Sequence, residues 1–340
     1  MKNSLKIFDN KRIMITGGTG SFGSMFLSKI SKSKFKEILV ISRDEDKQFI
    51  LRNKYSNPKI KFIVGDIKDK DVLKRFFKNI DIVIHAAALK QVPSCEYHPD
   101  EALKTNIIGS SNVFDAAVDC NVKRVVFLST DKAVYPINSM GISKSMAEKI
   151  LISKSLNQDN NKTIFNIIRY GNVIASRGSV VRTFINQILN NESLTITDNN
   201  MTRFIMSLDN ALELLCSALS YGKSGEIFVQ KTFSIKLITL AKALNYIFGK
   251  KNKIKNIGIR HGEKLHEILI SEEESLKTLQ KRNFYIIKPD SRTLNYDIYF
   301  KKGKLNTKKF LYSSNNNNHL STKALVKVLL KDNYIRQFIK

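Results

Sequence analysis

Ser129-Thr130-Asp131-Lys132 closes an apolar run, RVVFLST (124–130), and sets a hydroxyl, a carboxyl and an amine side by side. A carboxyl next to an amine is an acid–base pair. One group can take a proton from carbon while the other protonates a departing hydroxyl, which is what an elimination requires. A plain alcohol dehydrogenase has no need of such a pair. The plainer alternative is that Asp131 caps a turn and Lys132 is solvated. Farther on, Met140 and Lys144 stand four apart, on one face of a helix. A lysine there can hold a cofactor ribose and lower a neighbouring pKa. Met140 has no proton to exchange. Either the base for a hydroxyl proton lies elsewhere, at Thr130, Lys132 or Lys144 with Lys132 expected to carry most of the proton transfer, or hydride chemistry is absent. Tyr135, just before Pro136, is not given the task.

A second cluster is Thr16-Gly-Gly-Thr-Gly-Ser-Phe-Gly23, a G-x-x-G-x-x-G run between a strand pattern and a helix pattern. Gly17, Gly20 and Gly23 allow a tight turn, close backbone approach to a pyrophosphate, and close helix–strand packing. The helix then offers free N–H groups to the anion, with Thr19, Ser21 and Phe22 around it. The alternative is a turn with only a packing role. At the end of the second strand, Arg43 and Lys47 can clamp a 2′-phosphate, which favours NADP over NAD. Asp44 complicates this, since it could reach a ribose hydroxyl. Asp66 and Ile67 would flank an adenine. Ala86, Ala87 and Ala88 are small enough to let a cofactor cross the strand tips.

These residues need a sheet to carry them. RIMITGG (12–18), EILVIS (37–42), KIKFIVGD (59–66), DIVIHAAA (81–88), RVVFLST (124–130) and IFNIIRYGNV (164–173) read as strands. Helical patterns at 21–32, about 99–119 and 139–155 separate them. Val- and Ile-rich strands alternating with helices predict an α/β fold, a Rossmann-type doubly wound parallel sheet in which ligands bind beyond the strands' carboxyl ends. We expect a cofactor-binding domain over 1–173, with 205–235 packing back on it. A smaller C-terminal substrate-binding lobe is expected over 174–204 and 236–290, and an extension over 291–340. A helix is expected at 210–220, and a polar loop at SSNNNN (313–318).

The chain has 340 residues and a formal net charge of +27, from 57 Lys+Arg against 30 Asp+Glu. The basic residues are dispersed, apart from KKGKLNTKK, and no aromatics interleave with them. This reads as a solvated basic surface rather than a nucleic-acid stripe, and no nucleic-acid partner is expected. An anionic nucleotide substrate would gain from the positive field. No apolar run nears the roughly 18 residues of a membrane helix, so no membrane insertion is expected. The N-terminus shows no signal-peptide pattern, and three scattered cysteines suit a reducing, cytoplasmic setting. The histidines, His85 and His261 among them, form no metal-ligand spacing; no metal is expected, and His85 reads as packing.

TGGTGSFG, SRDEDKQ, HAAALKQVPSCEYHPDEALKTN, LSTDKAVYPINSMGISKSMAEK, RYGNVIASRGSV and GIRHGEKLHE together resemble the extended short-chain dehydrogenase/reductases. More closely, they resemble the UDP-N-acetylglucosamine 4,6-dehydratases of bacterial surface-polysaccharide synthesis. One branch of these, the inverting, C5-epimerising enzymes of the capsule and O-antigen type, also carries Met where most relatives keep Tyr. The resemblance implies NADP as a catalytic cofactor and a UDP-sugar substrate. It implies hydride removal from C4, loss of water across C5–C6 with Lys132 as base and Asp131 as acid, and hydride return to C6. C5 inversion would give UDP-2-acetamido-2,6-dideoxy-beta-L-arabino-hex-4-ulose, on the way to UDP-N-acetyl-L-fucosamine. It further implies that Arg203 and Arg260 bind the pyrophosphate and that Glu263 accepts from the uridine ribose. Asn172, Arg177 and Lys90 are further substrate candidates. A homo-oligomer, a hexamer by resemblance, is expected. Other readings remain: a retaining 4,6-dehydratase, a nucleotide-sugar epimerase or reductase on the same fold, and a non-catalytic NADP-sensing or RNA-binding protein.

Overall fold

The computed structural model describes residues 4–158, 162–290 and 309–339. After a 3-10 turn (Ser4–Phe8), the chain alternates β1 (Arg12–Thr16), α1 (Ser21–Ile30), β2 (Glu37–Ser42), α2 (Glu45–Tyr55), β3 (Ile60–Val64), α3 (Lys70–Phe77) and β4 (Ile82–His85). Short helices α4 (Val92–Tyr97) and α5 (Pro99–Ala102) lead to α6 (Ser110–Asp119), β5 (Arg124–Thr130), α7 (Ser139–Leu156) and β6 (Ile164–Tyr170). Then come β7 (Asn172–Val173), α8 (Val180–Leu189), β8 (Leu194–Ile196), β9 (Thr202–Met206), α9 (Leu208–Tyr221), β10 (Glu226–Gln230), β11 (Phe233–Lys236) and α10 (Leu237–Ile247). The remainder is β12 (Ile254–Asn256), β13 (Ile268–Ile270), α11 (Glu272–Ser275), β14 (Thr278–Gln280), β15 (Phe284–Ile287), β16 (Tyr312–Ser313), α12 (Thr322–Leu329) and α13 (Asn333–Arg336).

The central sheet runs β14-β15-β10-β6-β5-β4-β1-β2-β3, parallel from β10 to β3, with β15 and β14 antiparallel at one edge. Its strands are apolar on both sides because both sides are covered. In β1, Ile13 and Ile15 enter one core while Met14 enters the other. In β5, Val126 and Leu128 face the first core, Val125 and Phe127 the second. Helices α1 and α9 cover the first face; α3, α6 and α7 cover the second. A third core, from α8, α10, α12 and β8, fills the smaller lobe.

Three expectations need correction. The strands are shorter at their carboxyl ends than the apolar runs suggest: β1 stops at Thr16, β3 at Val64 and β4 at His85. Gly17, Gly65, Asp66 and Ala86–Ala88 instead leave the ladder to line a cavity. The helix expected at 99–119 is interrupted by a π-helical segment, Leu103–Gly109. There a Cβ on Gly109 would meet the Ile67 side chain at 2.8 Å, so glycine lets that side chain pack closely against the π segment. Finally, residues 278–280 and 284–287, expected in the smaller lobe, extend the central sheet as β14 and β15. Ile286 and Ile287 face opposite cores and close both. The expected C-terminal extension lies outside the described residues over 291–308, as does most of the KKGKLNTKK run. The SSNNNN stretch begins in β16 and then turns, with Asn317 donating to the Thr232 carbonyl at 2.7 Å.

Candidate active site

A cavity of about 710 Å³ runs along the carboxyl ends of the parallel strands. That volume lies within the usual range for ligand sites. The glycine loop, the tips of β2, β3 and β4, the β5–α7 connection and the loop carrying Arg260–Glu267 line it.

At one end, Gly17 adopts a positive φ of 67°, and a Cβ there would stand 2.6 Å from Ala87 Cα. Only glycine brings the β1 and β4 tips this close. Gly20 caps α1 without a side chain, leaving the first-turn N–H groups to a ligand. Arg177 lies across this loop, with Nη1 donating to Thr19 O at 3.2 Å and its N–H to Ser21 Oγ at 3.1 Å. Lys90 Nζ in turn donates to the Arg177 carbonyl at 2.8 Å. Arg177 and Lys90 thus flank the glycine loop.

At the β2 end, the expected Arg43–Lys47 clamp is not assembled. Asp44 caps α2, accepting from Lys47 N at 2.9 Å, and its carboxylate also pairs with Lys47 Nζ. That pairing lowers the Asp44 pKa, through the Lys47 side-chain hydrogen bond first. Arg43, mostly exposed, has only a 3.8 Å approach to Asp66, while Asp66 also lies 3.7 Å from Lys68. Asp44 is therefore occupied by its own helix, and Arg43 remains open at the cavity mouth.

The next part of the cavity is built by β5 and α7. Asp131 is fully buried; its Oδ1 accepts from Thr130 Oγ1 and from Lys132 Nζ, both at 2.9 Å. Thr130 and Lys132 line the cavity in front of it. Lys132 Nζ also lies 3.1 Å from Glu267 Oε1 and donates to Asn172 Oδ1 at 3.4 Å. Burial, then the Glu267 charge, raises the Asp131 pKa against the pull of Lys132. Burial alone would lower that of Lys132, but Asp131 and Glu267 outweigh it and raise it. Glu267 is held low: burial opposes this, but Lys132, Arg203 and Lys264 overcome it. The cluster therefore holds an ammonium between two carboxyls, and of the two carboxyls Asp131 is the one whose surroundings favour taking up a proton.

Lys144, on α7, is buried with its Nζ donating to Leu128 O at 2.6 Å, 3.8 Å from the centre of the Phe127 ring. Burial brings its pKa down to about 7. Met140, 5% exposed, lines the cavity among Cys95, Ala102, Leu89 and Val92. The neighbouring tyrosine, Tyr135, points elsewhere, its hydroxyl donating to Glu273 Oε2 at 2.5 Å. His85 bridges Thr16 Oγ1 (2.6 Å) and Ser110 Oγ (2.9 Å), and burial keeps it neutral, well below its ordinary pKa. Among the described residues, no three His, Cys, Asp or Glu groups are placed to hold a metal ion.

At the lobe side, Arg203 is buried and its donors are engaged. Nη1 serves Thr202 O (2.8 Å) and Leu265 O (3.2 Å), Nη2 serves Glu263 Oε1 (3.2 Å), and Nε lies 3.7 Å from Glu267 Oε1. Arg260 is exposed at the rim, its N–H 3.4 Å from Glu263 Oε2. Asn172, Arg203, Arg260 and Glu263 all line the cavity.

Several participants escape the sequence reading. Glu267 sits in the same GEKLHE run as Glu263, four residues on, but a carboxylate ahead of an apolar strand reads as surface. Lys264, also in that run, donates to Val134 O at 2.5 Å and ties the loop to the residues after Lys132. Asn106 stands on the π segment, pairing with Leu89 N and O and with Ser143 Oγ (2.8, 3.0 and 2.9 Å). Tyr170 lines the cavity, and burial raises its pKa far enough to make it a donor rather than a base.

A glycine loop after β1, Lys132 at the tip of β5, hydrogen-bonded to Asp131, and Lys144 on the next helix share one cavity at the carboxyl edge of a Rossmann-type sheet. The chain belongs to the polysaccharide biosynthesis protein family, which matches residues 13–289, and its C-terminal module matches residues 290–336. A relative in Rickettsia bellii, called UDP-glucose 4-epimerase, is 48% identical across 98% of this chain and 99% of its own. Pen from Bacillus thuringiensis superimposes with a TM-score of 0.89 at 36% identity, covering 98% of this chain and 99% of that one. The dTDP-glucose 4,6-dehydratase DesIV from Streptomyces venezuelae, solved with NAD bound, gives 0.68 at 21% identity over 75% of this chain and 86% of its own. At that identity the likeness is one of fold. Among the described residues, no helix is long and apolar enough to cross a membrane.

Proposed function

We propose that this protein is an NADP-dependent UDP-N-acetylglucosamine 4,6-dehydratase that inverts C5. The observation that carries the reading is the Asp131–Lys132 hydrogen bond, 2.9 Å long, at the tip of β5, with Met140 where a hydroxyl base would stand. The cavity suits a dinucleotide: the Gly17–Ala87 approach leaves backbone, not side chains, facing the pyrophosphate, and Arg177 adds charge beside it. Arg43 would meet the 2′-phosphate, since Asp44 is committed to α2. The bound cofactor would supply hydride exchange, out of C4 at the start and back to C6 at the end.

The chain's own groups do the rest. A proton shift from Lys132 Nζ to Asp131 Oδ1 leaves a neutral amine and a protonated carboxyl, the forms an elimination needs. Next to a 4-keto group, the C5 proton is acidic enough for the Lys132 amine to remove. The Asp131 proton, passed through the Thr130 hydroxyl in front of it, leaves with the C6 oxygen as water. The pair ends as the ammonium and carboxylate it began as. The proton released from the C4 hydroxyl goes to water in the cavity, and water returns one proton to C5 from the other face, which inverts the centre. Lys132→Ala, compared in protein whose circular dichroism stays native, should lower turnover by about 10²–10⁴-fold, the usual worth of a general acid or base. Full turnover in that variant would end the proposal.

A second reading is a 4-epimerase, favoured by the name of the 48%-identical relative. It needs a base at the C4 hydroxyl but no proton transfer at C5. Both readings take a proton from the C4 hydroxyl, so Met140 does not separate them; the Asp131–Lys132 pair, for which a 4-epimerase has no use, counts against it. Mass analysis separates the two: dehydration removes one water, whereas epimerisation leaves the mass unchanged.

A further inference from the structure

The acid–base pair read from sequence is incomplete, because the carboxylate beside Lys132 at the cavity wall comes from far along the chain. Glu267 precedes β13 and is 1% exposed, yet it lines the cavity. Its Oε1 lies 3.1 Å from Lys132 Nζ, while its buried Oε2 has no hydrogen-bond partner. Asp131 Oδ2 is likewise buried and unpartnered. A buried carboxylate oxygen without a donor is costly to keep, so its retention calls for a reason. The backbone around Glu267 is fixed: its N–H donates to Ser314 Oγ at 2.9 Å, and its carbonyl accepts from Ser314 N at 2.8 Å. The carboxylate is thus held in place rather than swung in by a loose loop.

We propose that Glu267 is the positioning residue of the reaction centre: it orients the Lys132 ammonium and sets how protons divide between Lys132 and Asp131. The charged groups facing it are Lys132 and Asp131 from the β5–α7 connection, Arg203 from β9, and Lys264 from its own loop. Arg203 and Lys264 keep Glu267 ionised. The ionised carboxylate in turn repels charge on Asp131 and attracts it on Lys132, so both hold their protons more tightly. Because Arg203 also binds Glu263, the same chain of charges joins the reaction centre to the side of the cavity expected to hold the diphosphate.

The proposal rests on the dehydratase reading only for its kinetic test. In full-length protein carrying ¹³C-labelled lysine, the Lys132 signal is assigned by its loss in Lys132→Arg and followed against pH. Glu267→Gln keeps the shape but removes the charge, and the Lys132 midpoint should fall by about one pH unit or more. Glu267→Asp keeps the charge at shorter reach and should lower it less; it also serves should the Gln variant fail to fold. With UDP-N-acetylglucosamine as substrate, both limbs of the Glu267→Gln rate profile should move to lower pH. A midpoint that stays put in both variants overturns the proposal, as do lower rates with unmoved limbs. If the native protein releases no dehydrated product, the dehydratase reading fails, and the lysine titration still decides the role of Glu267.

Discussion

Lys144 shows how one residue's burial ties stability to the site. An ordinary lysine titrates near 10.4, but desolvation holds Lys144 at about 7. Between about those two values the unfolded chain binds a proton that the folded chain does not, so stability contributed at this position rises with pH. Below about 7 the lysine is charged in both states and the full penalty, on the order of a few kcal/mol, applies. Lys144→Met should therefore raise the melting temperature of the ligand-free protein, and more at about pH 7 than at about pH 10. Calorimetry at both pH values checks this, and equal gains would contradict it. The same variant should lose cofactor affinity, since the amine at the cavity wall disappears. Asp131, Lys132 and Lys144 could be picked out from sequence because adjacency and i,i+4 spacing are local. Glu267 could not, because its partnership with Lys132 exists only once β13 and the β5–α7 connection are brought together.

At the scale of elements, the site depends on close approaches that only small residues permit. Gly141, in the first turn of α7, sits against the Lys132 carbonyl, which any Cβ there would strike. Gly141→Ala should push α7 from the 131–133 turn, costing about 1–3 kcal/mol and misplacing Lys132 and Lys144 together. Denaturant titration reads the first effect and turnover the second; a variant normal in both would contradict this account of the helix packing. Gly17→Ala meets both a positive φ and the Ala87 backbone, and it should abolish dinucleotide binding in a calorimetric titration. Strand and helix order was legible in the apolar patterns, since a doubly covered parallel sheet leaves near-continuous Val/Ile runs. The strand ends were not: hydrophobicity marks Ala86–Ala88 and Gly65 as sheet, whereas their backbone leaves the ladder to face the cavity. The π segment was hidden too, because one extra residue per turn alters no composition. Its result, Asn106 bonded to Leu89 and Ser143, is purely three-dimensional.

Across the whole molecule, a buried arginine ties the sheet to the segment that carries Glu267. Arg169 on β6 bonds Glu148 of α7 (2.5 Å), Glu274 of α11 (2.8 Å) and Leu269 O of β13 (3.0 Å). Removing the cation would strand two carboxylates, so Arg169→Met should cost about 3–5 kcal/mol. Denaturant midpoints would show it, and a shift under about 1 kcal/mol would mean the triad contributes little. The formal charge of +27 acquires a local sense in the cavity, where Arg43, Lys47, Lys90, Arg177, Arg203 and Arg260 converge. An anionic cofactor and a nucleotide diphosphate are the partners such a field favours.

The most direct measurement is proton NMR of the product formed from UDP-N-acetylglucosamine with NADP in deuterated water. The account predicts a 4-keto-6-deoxy sugar, one water lighter, with deuterium at C5 and the inverted ring configuration. A C4 epimer of unchanged mass, with C5 still carrying protium, would contradict it.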